Sequence, residues 1–154
     1  MDTFLLITSG LVFTFMILTI VLKYKIQKSI SDSYYSLSKK EKIAFTLAIW
    51  GFSIPLVIVA NSVLFLIAGG LLCLVGASAN FKLNKRENNT HMTGAIGGIL
   101  LAFVSLVVDF DLFPIFVVFA MISTFLYLMK DVVKYIWWIE ILAYYLILIG
   151  LIIK

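Results

Sequence analysis

The sequence predicts an all-α, polytopic membrane protein with six transmembrane helices and both termini outside. Apolar residues make up 63% of the 154 residues and charged residues only 13%, against about half and a quarter in soluble domains. The apolar residues form six runs of spanning length, which is about 20 residues for an α-helix. We therefore expect residues 1–154 to be a single six-helix transmembrane domain, without room for a soluble one.

The first two predicted spans are separated by a polar and aromatic segment. The first, residues 3–22, is followed by lysines, which is the reverse of a cleaved signal peptide, so we expect it to be retained. The second occupies about residues 43–60. Its helix should begin just after Ser38, because Ser38 and Glu41 have the spacing of a capping box.

Two stripes of small residues mark the third and fourth spans, residues 63–81 and 91–108, which a loop at 82–90 connects. Each stripe repeats every fourth residue: Gly69, Cys73 and Ala77 in the third span, and Gly94, Gly98 and Ala102 in the fourth. Such stripes let membrane helices pack backbone to backbone. We therefore predict that the two spans pair through them as an antiparallel hairpin.

The last two predicted spans are residues 112–129 and 135–153. Pro114 is tolerated in the first turn of a helix, and Asp111 is predicted to cap it. Trp137 and Trp138 should lie at the membrane boundary, where aromatic side chains gather.

The distribution of basic residues predicts the topology. Eleven of the 12 basic residues lie in alternate connections, and only Lys154 lies on the other side. The connections concerned are 23–42, 82–90 and 130–134. By the positive-inside rule these connections are cytoplasmic and both termini are outside, as in a multi-pass protein of the cell (inner) membrane.

Six polar residues are predicted to lie at similar depth near the cytoplasmic face and to form a small polar pocket. They are Ser31, Asp32, Ser33, Asn80, His91 and Glu140. Glu140 follows Lys134 by six residues, which is about 9 Å along a helix. An intramembrane carboxylate should face the bundle interior, protonated or paired, and indicates a functional site. The alternative is a structural cluster that holds helix ends together, with His91 as a boundary residue.

Other motifs give no further chemistry. Cys73 is the single cysteine and cannot form an internal disulfide. Asp109 and Asp111 have the spacing of a metal-binding pair, but a turn with a cap is the simpler interpretation, so no metal and no cofactor are predicted. No nucleophile elbow, phosphate loop or nucleic-acid-binding patch is present. The expected partners are the lipid bilayer and a lipid or small-molecule ligand, with no nucleic acid. The oligomeric state, and whether the chain is an enzyme, stay open.

Four segments carry a family resemblance: residues 31–35 (SDSYY), 75–82 (VGASANFK), 91–95 (HMTGA) and 137–140 (WWIE). They resemble a family of small uncharacterised multi-pass membrane proteins from bacterial genomes and phages, and this implies a membrane fold without a particular activity. More remotely, a serine and an aspartate after the first span (Ser31 and Asp32), with a histidine beside a later one (His91), resemble the pattern of the membrane hydrolases that include alkaline ceramidases and adiponectin receptors. Those hold zinc with three histidines, whereas this chain has one.

The sequence thus favours a binding or structural role, with a lipid or small ligand recognised from the cytoplasmic side. Two alternatives remain. One is a membrane-embedded lipid hydrolase built on Ser31 or Ser33 together with Asp32, His91 and Glu140. The other is a small proton-coupled transporter in which Glu140 titrates.

Overall fold

The computed structural model describes residues 2–78, 82–130 and 134–154, and over these residues every regular element is helical. The elements are α1 (Asp2–Tyr24), a 3₁₀ helix (Ser31–Ser36), α2 (Lys39–Ala60), α3 (Val63–Ala77), α4 (Lys85–Val108), α5 (Phe113–Leu128) and α6 (Tyr135–Ile153). The all-α prediction is confirmed. Four of the helices, α1, α2, α4 and α6, are long and apolar enough to cross a membrane. The chain is therefore a helical membrane protein.

Contacts between helix ends show that neighbouring helices run in alternate directions. Lys23, near the end of α1, forms an ion pair of 2.5 Å with Glu41 in the first turn of α2. The hydroxyl of Ser62, which precedes α3, donates to the carboxylate of Asp109, which follows α4, over 2.5 Å. In each of these pairs, the start of one helix lies beside the end of its neighbour.

This alternation gives the bundle two ends, which we call the basic end and the opposite end. The basic end comprises residues 25–38, 82–84 and 134 with the adjoining helix ends, and the opposite end comprises residues 61–62, 109–112 and 154. Each end is tied across the bundle. The ammonium of Lys134 donates to the Ile26 carbonyl, and that of Lys154 donates to the Val59 carbonyl.

The glycines of α4 allow it to approach α3 closely, as the sequence predicted. A Cβ atom added at Gly94 would lie 2.6 Å from the carbonyl oxygen of Leu71, and one added at Gly98 would lie 2.8 Å from Cγ of Leu72. Both distances are shorter than a side chain tolerates. The α4 stripe therefore packs against the backbone and leucines of α3.

The small residues of α3 face a different neighbour, so the prediction that the two stripes face each other is wrong. A Cβ added at Gly69 would strike the side chain of Val57 on α2. The carbonyl of Cys73 accepts a hydrogen bond of 3.0 Å from Trp50 Nε1, also on α2, and Ala77 is exposed. Helix α3 packs between α2 and α4. Its small residue Gly69 contacts α2, whereas Leu71 and Leu72 contact the glycines of α4.

Helix α4 begins six residues earlier than the predicted residue 91. The side-chain oxygen of Asn84 accepts a hydrogen bond of 2.8 Å from the Arg86 amide and so caps a helix that starts at Lys85. Most of the predicted loop at 82–90 is therefore helical. At the other boundary, α3 ends at Ala77, and the predicted continuation to 79–81 lies outside the described residues.

Two cap predictions have different outcomes. The Ser38 amide donates to a Glu41 carboxylate oxygen over 2.8 Å, which confirms the capping box. Asp111 does not cap α5: Leu112 occupies the cap position without a side-chain hydrogen bond. Asp111 adopts a left-handed conformation, with φ of 56°, and so serves the turn that precedes the helix.

Candidate functional site

Glu140 lies in the second turn of α6, where the segment after α1 meets the bundle. One carboxylate oxygen, Oε2, accepts a hydrogen bond of 2.6 Å from the backbone amide of Ile30. Ile30 precedes the 3₁₀ helix Ser31–Ser36, and amides at the start of a helix have no partner within it. Glu140 thus satisfies an otherwise orphaned amide and is itself held in place.

A cavity of about 80 Å³ lies beside the Glu140 carboxylate in the interior of the bundle. Its walls come from every α-helix except α5, and they are apolar apart from Ser31, Glu140 and Tyr144. This volume exceeds the space that one water molecule needs. The cavity can therefore hold several waters or a short alkyl segment, with the carboxylate at its edge.

Asp32 is engaged in a different contact. Its carboxylate lies 2.6 Å from the ammonium of Lys82, and only 15% of the Asp32 side chain is exposed. The Lys82 ammonium also lies 4.8 Å from the centre of the Tyr35 ring, and the Lys82 amide donates to the Tyr35 hydroxyl over 2.6 Å. Asp32 and Tyr35 therefore attach Lys82, which lies just before α4, to the 3₁₀ helix.

The two predicted serines are buried but differ in their surroundings. Ser31 lines the cavity together with Glu140. Ser33 is fully buried, and its hydroxyl donates over 3.5 Å to the carbonyl of Ser29 in its own segment. Only Ser31 therefore shares space with Glu140.

His91 lies in the second turn of α4 and is 3% exposed. Its ring lies against the backbone of Val75 on α3 and of Ser78 just after that helix, within range of the charge of Asp32. It is not among the described residues that line the cavity. His91 is thus an interior contact between α3 and α4, and Asn80, the remaining predicted residue, lies outside the described residues.

Sequence reasoning missed a buried chain of hydroxyl groups, Tyr144 and Ser9, that adjoins the cavity through Tyr144. The Ser9 hydroxyl donates to the carbonyl of Phe52 over 2.8 Å, so the Tyr144 hydroxyl, 2.7 Å away, donates to Ser9. The Tyr144 ring also stacks on Phe13, with centroids 3.8 Å apart. Tyr144 follows Glu140 by four residues, which places both on one helix face. The spacing of four residues could have indicated from the sequence that Tyr144 lies near Glu140.

The two neighbouring tryptophans, Trp137 and Trp138, differ in burial. Trp137 is fully buried, whereas Trp138 is 42% exposed. Within the described part of the chain, the Trp137 indole nitrogen has no hydrogen-bond partner. Of the two tryptophans, Trp138 is thus the one whose ring reaches the surface of the bundle, and the boundary position of both stays a prediction.

A second polar cluster, at the opposite end, consists of side chains that hydrogen-bond to one another. The hydroxyls of Ser62 and Ser105 both donate to Oδ2 of Asp109, each over 2.5 Å. Hydrogen bonds from Ser105 and then Ser62 hold the pKa of Asp109 below its usual range. Nearby, the Lys154 ammonium donates to the last carbonyls of α2, those of Val59 and Ala60.

The sequence and the fold were compared with those of known proteins. The chain matches no protein-family model, no curated protein and no solved structure. Over residues 2–78, 82–130 and 134–154, no three His, Cys, Asp or Glu side chains are grouped so that they could hold a metal ion. The helices and the cavity define the class, a helical membrane protein with a carboxylate-edged interior cavity.

Proposed function

We propose that the chain is a multi-pass protein of the cell (inner) membrane that crosses it six times, with the basic end in the cytoplasm. The alternating helix directions and the eleven basic residues on one side support this topology. Helices α3 and α5 have 15 and 16 residues, or about 22 and 24 Å at 1.5 Å per residue. Bilayers adapt to such short spans by local thinning.

Labelling of introduced cysteines tests the topology. In a Cys73→Ala background, Asp2→Cys and Phe110→Cys should react with an impermeant reagent in intact cells, because both lie on the outer side. Arg86→Cys should react only after the membrane is opened. Labelling of Arg86→Cys in intact cells would overturn the six-span arrangement.

Within this topology, we propose that the protein binds an amphiphile with a cationic head, placing the head at Glu140 and part of its alkyl chain in the cavity. The observation that carries this function is a carboxylate held at the edge of an apolar cavity. No cationic side chain pairs with Glu140 among the described residues, where the ion pairs are Lys23–Glu41 and Lys82–Asp32. A carboxylate in the membrane interior needs a proton or a partner charge. A ligand ammonium supplies that charge.

Titration of the purified protein in uncharged detergent with dodecylammonium tests the function by calorimetry. Binding should be saturable, and dodecanol and dodecanoate should bind more weakly, because they lack the charge that complements Glu140. Glu140→Gln keeps an oxygen for the Ile30 amide but removes the charge, so it should weaken binding at least about tenfold, as expected for a charge-assisted hydrogen bond.

The matched control is Glu87→Gln, which makes the same change in the first turn of α4, away from the cavity. It should bind dodecylammonium as the parent does. Equal binding by Glu140→Gln and the parent, or no saturable binding by either, would overturn the proposed function and favour a structural role for Glu140.

A further inference from the structure

A second surface of the molecule, on α2 at the basic end, combines charge and apolar area in a fixed order. A groove of about 420 Å³ runs along this helix. Its lining residues on α2 are Lys39, Lys42, Ile43, Thr46, Leu47 and Trp50, and Tyr34 closes its upper side. These α2 positions recur at intervals of three and four residues, so they occupy one face of the helix.

The two lysines at the top of the groove are available to an anion. Neither Lys39 nor Lys42 has an ion-pair partner among the described residues, because the nearby Glu41 is paired with Lys23. The Lys42 ammonium lies 4.8 Å from the centre of the Tyr34 ring, which holds it over the groove. A ring contact orients an ammonium without neutralising its charge.

The lower part of the groove is apolar because its polar side-chain atoms form hydrogen bonds within the protein. Thr46 donates to the Gly76 carbonyl over 3.2 Å, and Trp50 donates to the Cys73 carbonyl over 3.0 Å. Both bonds run to α3, and the second holds the Trp50 ring in place. Leu47 and Ile43 are 58% and 60% exposed, so the groove offers hydrocarbon contacts beneath the lysines.

We propose that this groove binds one anionic phospholipid, with its phosphate group at Lys39 and Lys42 and an acyl chain along Ile43, Leu47 and Trp50. Charge complementarity identifies the occupant, since the groove has cations at the level of the head groups and apolar side chains below them. A bilayer leaflet supplies a molecule with its groups in that order, and basic residues at the membrane surface attract anionic lipids. This site is separate from the Glu140 cavity and does not depend on the function proposed for it.

Tryptophan quenching by brominated lipids tests the proposal in the full chain reconstituted in phosphatidylcholine bilayers. Brominated phosphatidylglycerol and brominated phosphatidylcholine are compared, and the difference between the parent and Trp50→Phe isolates the signal of Trp50. The phosphatidylglycerol lipid should quench Trp50 at several-fold lower mole fraction. Lys42→Gln and Lys39→Gln should each reduce this preference, by up to about fivefold.

The control is Lys40→Gln, because Lys40 is the neighbouring lysine on α2 and does not line the groove. It should leave the preference unchanged. Equal quenching by both lipids in the parent would overturn the proposal, as would an equal loss in Lys40→Gln, which would indicate general surface charge. Weak quenching by both lipids together with disulfide cross-linking of Leu47→Cys between two chains would assign the face to a second copy instead.

Discussion

The two ends of the bundle contain similar polar residues but use them in different ways. At the opposite end, Asp109 accepts bonds from Ser62 and Ser105, and its carboxylate has protein partners on the adjoining helices. At the basic end, Glu140 accepts one bond, from the Ile30 amide, and borders a cavity. The first cluster joins helix ends, whereas the second leaves a carboxylate at the edge of an apolar cavity.

The difference teaches that a carboxylate near a helix end is interpreted best from its surroundings. Both acids fulfil a local need: Asp109 holds two hydroxyls, and Glu140 holds a backbone amide. Only Glu140 adjoins an interior cavity with apolar walls. Substitutions in the Asp109 cluster should therefore change the stability of the protein, and substitutions at Glu140 should change ligand binding.

The largest expected effect comes from the framework that joins the two ends, the contact between α3 and α4. Gly94→Leu would push a side chain into the Leu71 carbonyl, since even a Cβ would lie 2.6 Å from it. We expect a loss of at least about 1–3 kcal/mol in unfolding free energy, the usual cost of overpacking. Gly70→Leu is the control, because a Cβ at Gly70 has no atom within 4 Å. Both are measured by thermal unfolding in detergent, and equal stability would contradict the packing of α4 on α3.

A smaller effect is expected when one residue at each end is substituted and both stability and ligand binding are measured. Ser105→Ala removes a buried hydroxyl that donates to Asp109, so we expect a loss of about 0.5–1.5 kcal/mol in unfolding free energy. Its dodecylammonium binding should be unchanged. Glu140→Gln should show the reverse, with near-parental stability and weakened binding. If Ser105→Ala weakened binding as much as Glu140→Gln does, the ends would not differ in function.

The sequence predicted most of the helices because composition and run length determine them. Pairwise contacts were predicted less well. The position of His91 depended on where α4 begins, and the Asn84 cap moved that start to Lys85. The backbone amide of Ile30 has no sequence signature as a partner of Glu140, and the α3 stripe gave no sign of which neighbour it would face.

The smallest effect is the dependence of the opposite end on pH. The pKa of Asp109 is lowered by hydrogen bonds from Ser105 and Ser62, so the folded state favours the ionised carboxyl. The stabilisation is complete above the ordinary pKa of an aspartate, about 3.9, and is lost as pH falls through the lower folded value. The difference in melting temperature between the parent and Asp109→Asn should therefore shrink below about pH 4. A constant difference would show that ionisation of Asp109 does not contribute.

Mapping a photoreactive ligand on the chain tests the contrast between the ends most directly. A dodecylamine with a diazirine on its alkyl chain is activated in the presence of the purified protein, and the modified peptides are sequenced by mass spectrometry. We predict adducts on cavity residues such as Ala143 and Ile147 that disappear in Glu140→Gln, and no specific adducts at Ser62 or Ser105. Adducts that are the same in the parent and in Glu140→Gln would contradict a ligand site at the basic end.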